Sequence, residues 1–187
     1  MLGPKVPGPQ NGPVALAVCL LFDARGERRI RELWGRLERA GVRTLESHTH
    51  GRHHPHLSYA VLLAWEHQRV LDAVSRLPDE GPVALAFHGT VLFPRGRAAL
   101  VPSVPASVVA RQERVSRAVA ATGATVHHHY DPGSWVPHVS VATGASGTQL
   151  PVVTTAIADV LPLEVVTERA VLVDSATGQT WDLPVIP

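Results

Sequence analysis

The tetrapeptide Pro-His-apolar-Ser occurs twice in this 187-residue chain, at residues 55–58 and at residues 137–140. Each copy stands at the beginning of an apolar stretch of strand length, which is typical of a buried β-strand. Alternate residues of a strand face the same side, so His56 is paired with Ser58, and His138 with Ser140. The chain is therefore expected to contain two equivalent strand starts, each presenting an imidazole and a hydroxyl together.

The apolar periodicity of the rest of the chain predicts alternating helices and strands. Ser107 is a candidate cap for the third helix, and Pro151 fits the first turn of the fourth. The helices are expected over residues 27–40, 66–77, 107–122 and 148–160. Strands are expected over residues 14–22, 56–63, 83–93, 98–104, 163–167, 169–174 and 180–183, in addition to the strand that contains His138.

This order of elements indicates a duplicated unit with a dividing point near residue 105. Neither half is expected to bury a core alone, and two such units can pack with their sheets around a shared cleft. We therefore predict an α+β fold of two pseudo-symmetric lobes, each a small, mainly antiparallel sheet with helices outside, facing a central cleft. Residues 14–187 would form this single bilobal domain, and residues 1–13, rich in proline and glycine, a disordered tail.

Two opposed histidines suit the cleavage of a phosphodiester. Attack on phosphorus and departure of the leaving oxygen occur in line, so a base is needed on one side and an acid on the other. The ordinary histidine pKa, about 6.5, lets one ring be neutral and the other protonated near neutral pH. The hydroxyls of Ser58 and Ser140 can donate to the non-bridging oxygens and hold the phosphorus between the rings. This scheme requires no metal.

The paired His-apolar-Ser-apolar motif resembles the two-histidine phosphoesterase superfamily, which includes bacterial 2′-5′ RNA ligase-like proteins and cyclic nucleotide phosphodiesterases. The resemblance implies that His56 and His138 are catalytic and that Ser58 and Ser140 bind phosphate. It implies hydrolysis of a 2′,3′-cyclic phosphate on a nucleotide or RNA end, or joining and cleavage of 2′-5′ linkages. It favours His138 for activating water and His56 for protonating the leaving oxygen. The ligase branch often carries an arginine after the second motif, whereas residues 141–144 contain none.

The amino-acid composition limits the kinds of binding partner that are expected. The formal net charge is +1 and the basic residues are scattered, which argues against a long nucleic-acid footprint and favours a small nucleotide or an RNA end. No apolar run is long enough for a membrane span. Cys19 is the only cysteine and lies in an apolar strand, so neither a disulfide framework nor a thiolate metal site is expected. We expect a cytoplasmic monomer without a cofactor.

Two alternative functions are consistent with the sequence. Histidines crowd into residues 48–56 and again into residues 127–129, which suggests a metal-binding protein. No carboxylate or cysteine lies within the first cluster and its spacing matches no familiar site, so a loop of solvated histidines is preferred. The other alternative is a catalytically silent nucleotide-binding protein of the same fold, although all four motif side chains are intact. Trp135 can pack in the core or stack on a base in the cleft, and packing is preferred.

Overall fold

The computed structural model describes residues 15–187, and the tail expected at residues 1–13 lies outside these residues. The helices are α1 (Ala24–Arg39), α2 (His67–Ser75), α3 (Ala106–Ala120) and α4 (Leu150–Ala158). The strands are β1 (Leu16–Phe22), β2 (His56–Ala64), β3 (Ala84–Phe93), β4 (Arg97–Ser103), β5 (Thr125–Val126), β6 (Val139–Ala142), β7 (Leu163–Asp174) and β8 (Thr180–Asp182). A short 3₁₀ turn, His128–Tyr130, lies between β5 and β6. Within residues 15–187, no helix is long and apolar enough to cross a membrane.

All strand pairs are antiparallel, and β7 joins the two parts of the sheet. The strand order is β5-β2-β1-β7-β3-β4-β6, and β8 also pairs with β7. Residues 163–166 of β7 pair with β3, whereas residues 167–174 pair with β1. We call β1, β2, β5 and β8 the first lobe, and β3, β4 and β6 the second lobe. The predicted α+β fold with antiparallel sheets and helices outside is confirmed.

The two lobes do not divide at residue 105. β5 follows that point in the chain but pairs with β2, and β6 pairs with β4. In the same way α1 packs against α4 and β6, while α3 packs against α2 and β2. A strand left at the edge of a sheet has unpaired backbone groups, and here a short later strand covers each edge. Each lobe is therefore built from both halves of the chain.

The two strands expected at residues 163–167 and 169–174 are one strand. The register against β1 shifts at this point: Leu21 is opposite Arg169 and Phe22 is opposite Thr167, so Glu168 is an extra residue. Such a β-bulge changes which side chains face the core without ending the strand. Glu168 and Arg169 are both exposed for this reason, and in the sequence they look like a break.

Two predictions about helix starts have different outcomes. α3 begins after Pro105 without a side-chain cap, so Ser107 is not the cap that the sequence suggests. Pro151 does lie in the first turn of α4, as predicted. A proline fits there because the first backbone N–H groups of a helix have no partner within the helix.

β1 is buried on both faces, which explains its uninterrupted apolar sequence. Alternate residues from Leu16 to Phe22 belong to the main core beneath the helices. Ala17, Cys19 and Leu21 form a smaller cluster with Val171 on the opposite face of the sheet. Because His56 and Leu21 are direct partners across the sheet, this second face leads to the first motif.

The hairpin between β3 and β4 depends on the glycine at position 96. The φ angles of Arg95 and Gly96 are 66° and 70°, in the left-handed region that favours glycine. The Gly96 carbonyl also accepts a hydrogen bond from the Ala145 backbone N–H at 2.7 Å. A Cβ atom at position 96 would overlap the backbone of Ala145.

We expect Gly96→Ala to reduce the free energy of unfolding by about 2 kcal/mol or more, because the new methyl group forces the Ala145 backbone away. Urea denaturation measures this change. Gly147→Ala is the matched control, since a Cβ atom there meets no other atom within 4 Å. Equal stability of the two variants would contradict the prediction.

Candidate active site

His56 is the first residue of β2, and a backbone carbonyl fixes its imidazole. Its Nδ1 lies 2.7 Å from the carbonyl oxygen of His54. A carbonyl only accepts, so Nδ1 carries a hydrogen and donates it. The other ring nitrogen, Nε2, is therefore the one left for proton transfer.

His138 has the same arrangement directly before β6. Its Nδ1 lies 2.8 Å from the carbonyl oxygen of Val136, again two residues back along the chain. The two motifs are thus equivalent in geometry as well as in sequence. In both, the chain that leads into the strand selects the tautomer of the histidine.

Two tryptophans tie the motif strands to the rest of the domain. The indole N–H of Trp135 donates to the Ser58 carbonyl at 3.0 Å, and that of Trp34 donates to the Ser140 carbonyl at 3.0 Å. In each pair, the tryptophan and the serine belong to different halves of the chain. Trp135 also packs edge-on against Tyr59, with ring centroids 5.9 Å apart, which supports the packing interpretation.

The carbonyl that holds His56 is itself held in place by α1. The Glu27 carboxylate lies 3.0 Å from Nδ1 of His54 and accepts a hydrogen bond from Nε of Arg31 at 2.8 Å. Arg31 also donates to the His53 carbonyl at 3.1 Å. The segment before the first motif therefore has a fixed path, although it has no regular secondary structure.

β2 and β6 contact each other and bring the two histidines into one site. Burial lowers the pKa of His138, and the positive charges on His56 and His129 lower it further, although the Val136 carbonyl raises it. Burial also lowers the pKa of His56, but the Cys19 sulfur and the His54 carbonyl outweigh this and raise it to about 9. The pKa values of the two histidines are therefore shifted in opposite directions, that of His138 downwards and that of His56 upwards.

Cys19 and Tyr130 belong to the site, and sequence reasoning missed both. Cys19 is opposite Ser58 across β1 and β2, with its Sγ 3.5 Å from the Ser58 Oγ. The Tyr130 side chain lies near Ser58 and Cys19, and burial raises the pKa of Tyr130 to about 12, so the phenol is neutral. The continuous apolar run of β1 hides the face on which Cys19 lies. Pairing β1 with β2 and then counting alternate residues from His56 would have placed Cys19 on the same face as the first motif.

Phe93 and Arg43 approach the second motif from other parts of the chain. The Phe93 ring lies 4.9 Å from the His138 ring, measured between centroids. Thr143, just after β6, donates its backbone N–H to the Arg43 carbonyl at 2.9 Å. The Arg43 guanidinium lies beside Gly144. Although residues 141–144 contain no arginine, an arginine from the segment after α1 thus lies next to them.

The first histidine cluster does not assemble a metal site. His48 and His50 lie in an irregular loop rather than on one face of a strand. His53 is hydrogen-bonded to the Thr49 hydroxyl at 2.9 Å, and burial together with the neighbouring histidines lowers its pKa to about 4. Among residues 15–187, the cluster that brings three potential metal ligands together is residues 127–129.

A groove of about 900 Å³ runs along the outer side of α1, away from the two histidines. Charged side chains such as Glu27, Arg31 and Arg36 line it, and neither His56 nor His138 does. Its size therefore gives no reason to place the chemistry there. The paired motifs remain the candidate site.

We expect NMR titration of the imidazole signals to show His56 losing its proton above the ordinary histidine pKa and His138 below it. Cys19→Ala should lower the pKa of His56, because burial then acts without the opposing sulfur. An unchanged His56 titration in this variant would contradict the role given to Cys19. The His88 signal serves as an internal reference, since that side chain is exposed.

The chain matches one protein family in sequence and several solved structures in fold. The family described as the 2′-5′ RNA ligase superfamily matches residues 23–179. No curated protein matches the sequence significantly. Among solved structures, E. coli LigT in its apo form is similar, with a TM-score of 0.60 at 14% identity; the match covers 93% of this chain and 95% of LigT.

Two further structures share the fold. A protein described as a phosphoesterase has a TM-score of 0.59 at 14% identity, covering 94% of this chain and 97% of that one. Usb1 of Kluyveromyces marxianus has a TM-score of 0.52 at 12% identity, covering 92% and 98%. With the family match spanning most of its length, the chain belongs to the 2′-5′ RNA ligase superfamily of two-histidine phosphoesterases.

Proposed function

We propose that this protein hydrolyses a 2′,3′-cyclic phosphate on a nucleotide or an RNA end, without a metal, by acid/base catalysis between His56 and His138. Family membership supports an enzyme of the phosphodiesterase or ligase type. The observation that carries the finer proposal is that two equivalent histidines have pKa values shifted in opposite directions. Such a pair supplies one base and one acid at the same pH.

At a pH between the two pKa values, His138 is neutral and His56 is protonated, and the proposed roles follow from these states. The neutral Nε2 of His138 takes a proton from a water molecule as the water oxygen forms a bond to phosphorus. The protonated Nε2 of His56 gives its proton to the 3′ oxygen as the bond from that oxygen to phosphorus breaks, leaving a 2′-phosphate. At the end of the step His138 is protonated and His56 is neutral, so proton exchange with water restores the starting state.

Hydroxyl groups would hold the phosphate between the two rings. Ser58 and Ser140 are each two residues beyond a catalytic histidine on the same strand face, and both are half-buried. Donation to the non-bridging oxygens offsets the charge that develops in the transition state. The neutral phenol of Tyr130 lies near Ser58.

A small nucleotide or an RNA end is the proposed substrate. LigT has been solved with 3′-AMP, and Usb1 with uridine monophosphate. In this chain, Phe93 lies against His138 and offers an aromatic ring on which a base can stack. The net charge of +1 also suits a short ligand better than a long nucleic acid.

Joining of RNA ends through a 2′-5′ linkage is a second candidate, favoured by the family match. A 5′-hydroxyl would then take the place of water, with the same base and acid. The two reactions are distinguished by supplying a cyclic-phosphate end with and without a 5′-hydroxyl RNA.

Replacing either His56 or His138 by alanine should lower the turnover of a 2′,3′-cyclic nucleotide by about 10²- to 10⁴-fold, because each supplies one proton transfer. Turnover is measured in a chelator, where the wild-type protein should remain active. His88→Ala is the control, since this exposed histidine has no place in the site. Full activity in either catalytic variant, or its loss in the chelator, would refute the mechanism.

The pH dependence of kcat/KM should be bell-shaped and broad. The rising side reflects loss of the proton from His138, so it should lie below pH 6.5, because the pKa of this residue is lowered. The falling side reflects loss of the proton from His56 and should lie near pH 9. A fall in kcat/KM already complete at neutral pH would contradict the assignment of His56 as the acid.

A further inference from the structure

We propose that His127, His128 and His129 form a site for a transition-metal ion of the zinc class, separate from the catalytic pair. The ring centroids are 4.7 Å apart for His127 and His128, 4.8 Å for His127 and His129, and 3.9 Å for His128 and His129. One ligand nitrogen from each ring can be chosen so that all three lie within 4.8 Å of one another. Three imidazoles thus lie close together at the surface.

The backbone that carries these rings is anchored at both ends. On one side, the His127 N–H donates to the Val61 carbonyl of β2 at 2.7 Å. On the other side, the Tyr130 carbonyl accepts hydrogen bonds from the buried side chains of Gln112 and Ser116, both at 2.9 Å. The 3₁₀ turn between these anchors therefore keeps the three histidines together before any ion binds.

The ring nitrogens are available as ligands. Within the described part of the chain, these rings take part in one hydrogen bond, which His127 Nδ1 accepts from the His129 backbone N–H at 3.3 Å. His128 and His129 are exposed, so their rings are free to turn. A zinc–nitrogen bond is about 2.0–2.1 Å long, so ligand nitrogens in a tetrahedral site are roughly 3.4 Å apart, and modest ring rotation closes the gap.

The chemistry of the donors selects the kind of ion. Neutral imidazole suits Zn²⁺, Cu²⁺ and Ni²⁺, whereas Mg²⁺ and Ca²⁺ prefer oxygen ligands. Three protein ligands leave one tetrahedral position for water or for an anion. The site also borders the proposed catalytic cleft, because Tyr130 follows His129 directly and its side chain lies near Ser58.

Metal titration tests this site independently of any enzymatic activity. The full chain, without an added histidine tag and freed of metal by a chelator, is titrated with Zn²⁺ by calorimetry and with Co²⁺ by visible absorption. We expect one ion to bind per chain in the micromolar range or tighter, and Mg²⁺ not to bind. Replacing His128 and His129 together by alanine should weaken Zn²⁺ binding by at least about tenfold.

The matched control replaces His48 and His88 together by alanine. Both residues are exposed, so this variant loses the same number of imidazoles at positions outside the proposed site. This control should bind Zn²⁺ as the wild-type protein does. In the wild-type protein, NMR signals of residues 127–129 should change first on addition of Zn²⁺, a readout that needs no variant. Absence of Zn²⁺ binding, equal losses in the two double variants, or first changes at residues 48–54 would each overturn the proposal.

Discussion

The continuous strand β7 is the constraint on which the relative placement of the two lobes depends. Its first four residues pair with β3 and the remainder pair with β1, so one rigid backbone belongs to both sheets. The bulge at Glu168 lets the strand change its exposed face at the junction without losing its pairing. Since β2 pairs with β1, and β6 is linked to β3 through β4, the spacing of the two motif strands is set by this shared element.

Within this frame the two halves of the site are held by equivalent bonds. Each catalytic candidate, His56 or His138, donates from Nδ1 to a carbonyl two residues back, and each motif serine has its carbonyl bound by an indole N–H. The tryptophans cross between halves, so the position of one motif depends on the packing of the other half. The strand pairing shows the same exchange, since each lobe contains elements from both halves of the chain.

The sequence predicts the motifs, the antiparallel α+β fold and most of the elements, because paired strand starts and apolar periodicity are local signals. It does not predict that β5 covers β2 or that β6 covers β4, since such pairing is decided by which edges are left open. It also misses Cys19, whose apolar neighbours on β1 hide the face on which it lies. Tyr130 is missed because a lone tyrosine after three histidines carries no periodic signal, although its side chain reaches Ser58.

Equivalent motifs alone cannot assign an acid and a base, since a reversed substrate would exchange the roles. The difference has to come from outside the repeated tetrapeptides, and here it comes from their surroundings. The buried sulfur of Cys19 stabilises the charged form of His56, whereas His138 is flanked by the aromatic ring of Phe93 and by further positive charge. The Phe93 ring has no polar atom that could stabilise a protonated histidine as the Cys19 sulfur does. The proposed assignment of acid and base therefore depends on residues that differ between the two lobes. The motifs, which both lobes share, place the two histidines in equivalent positions.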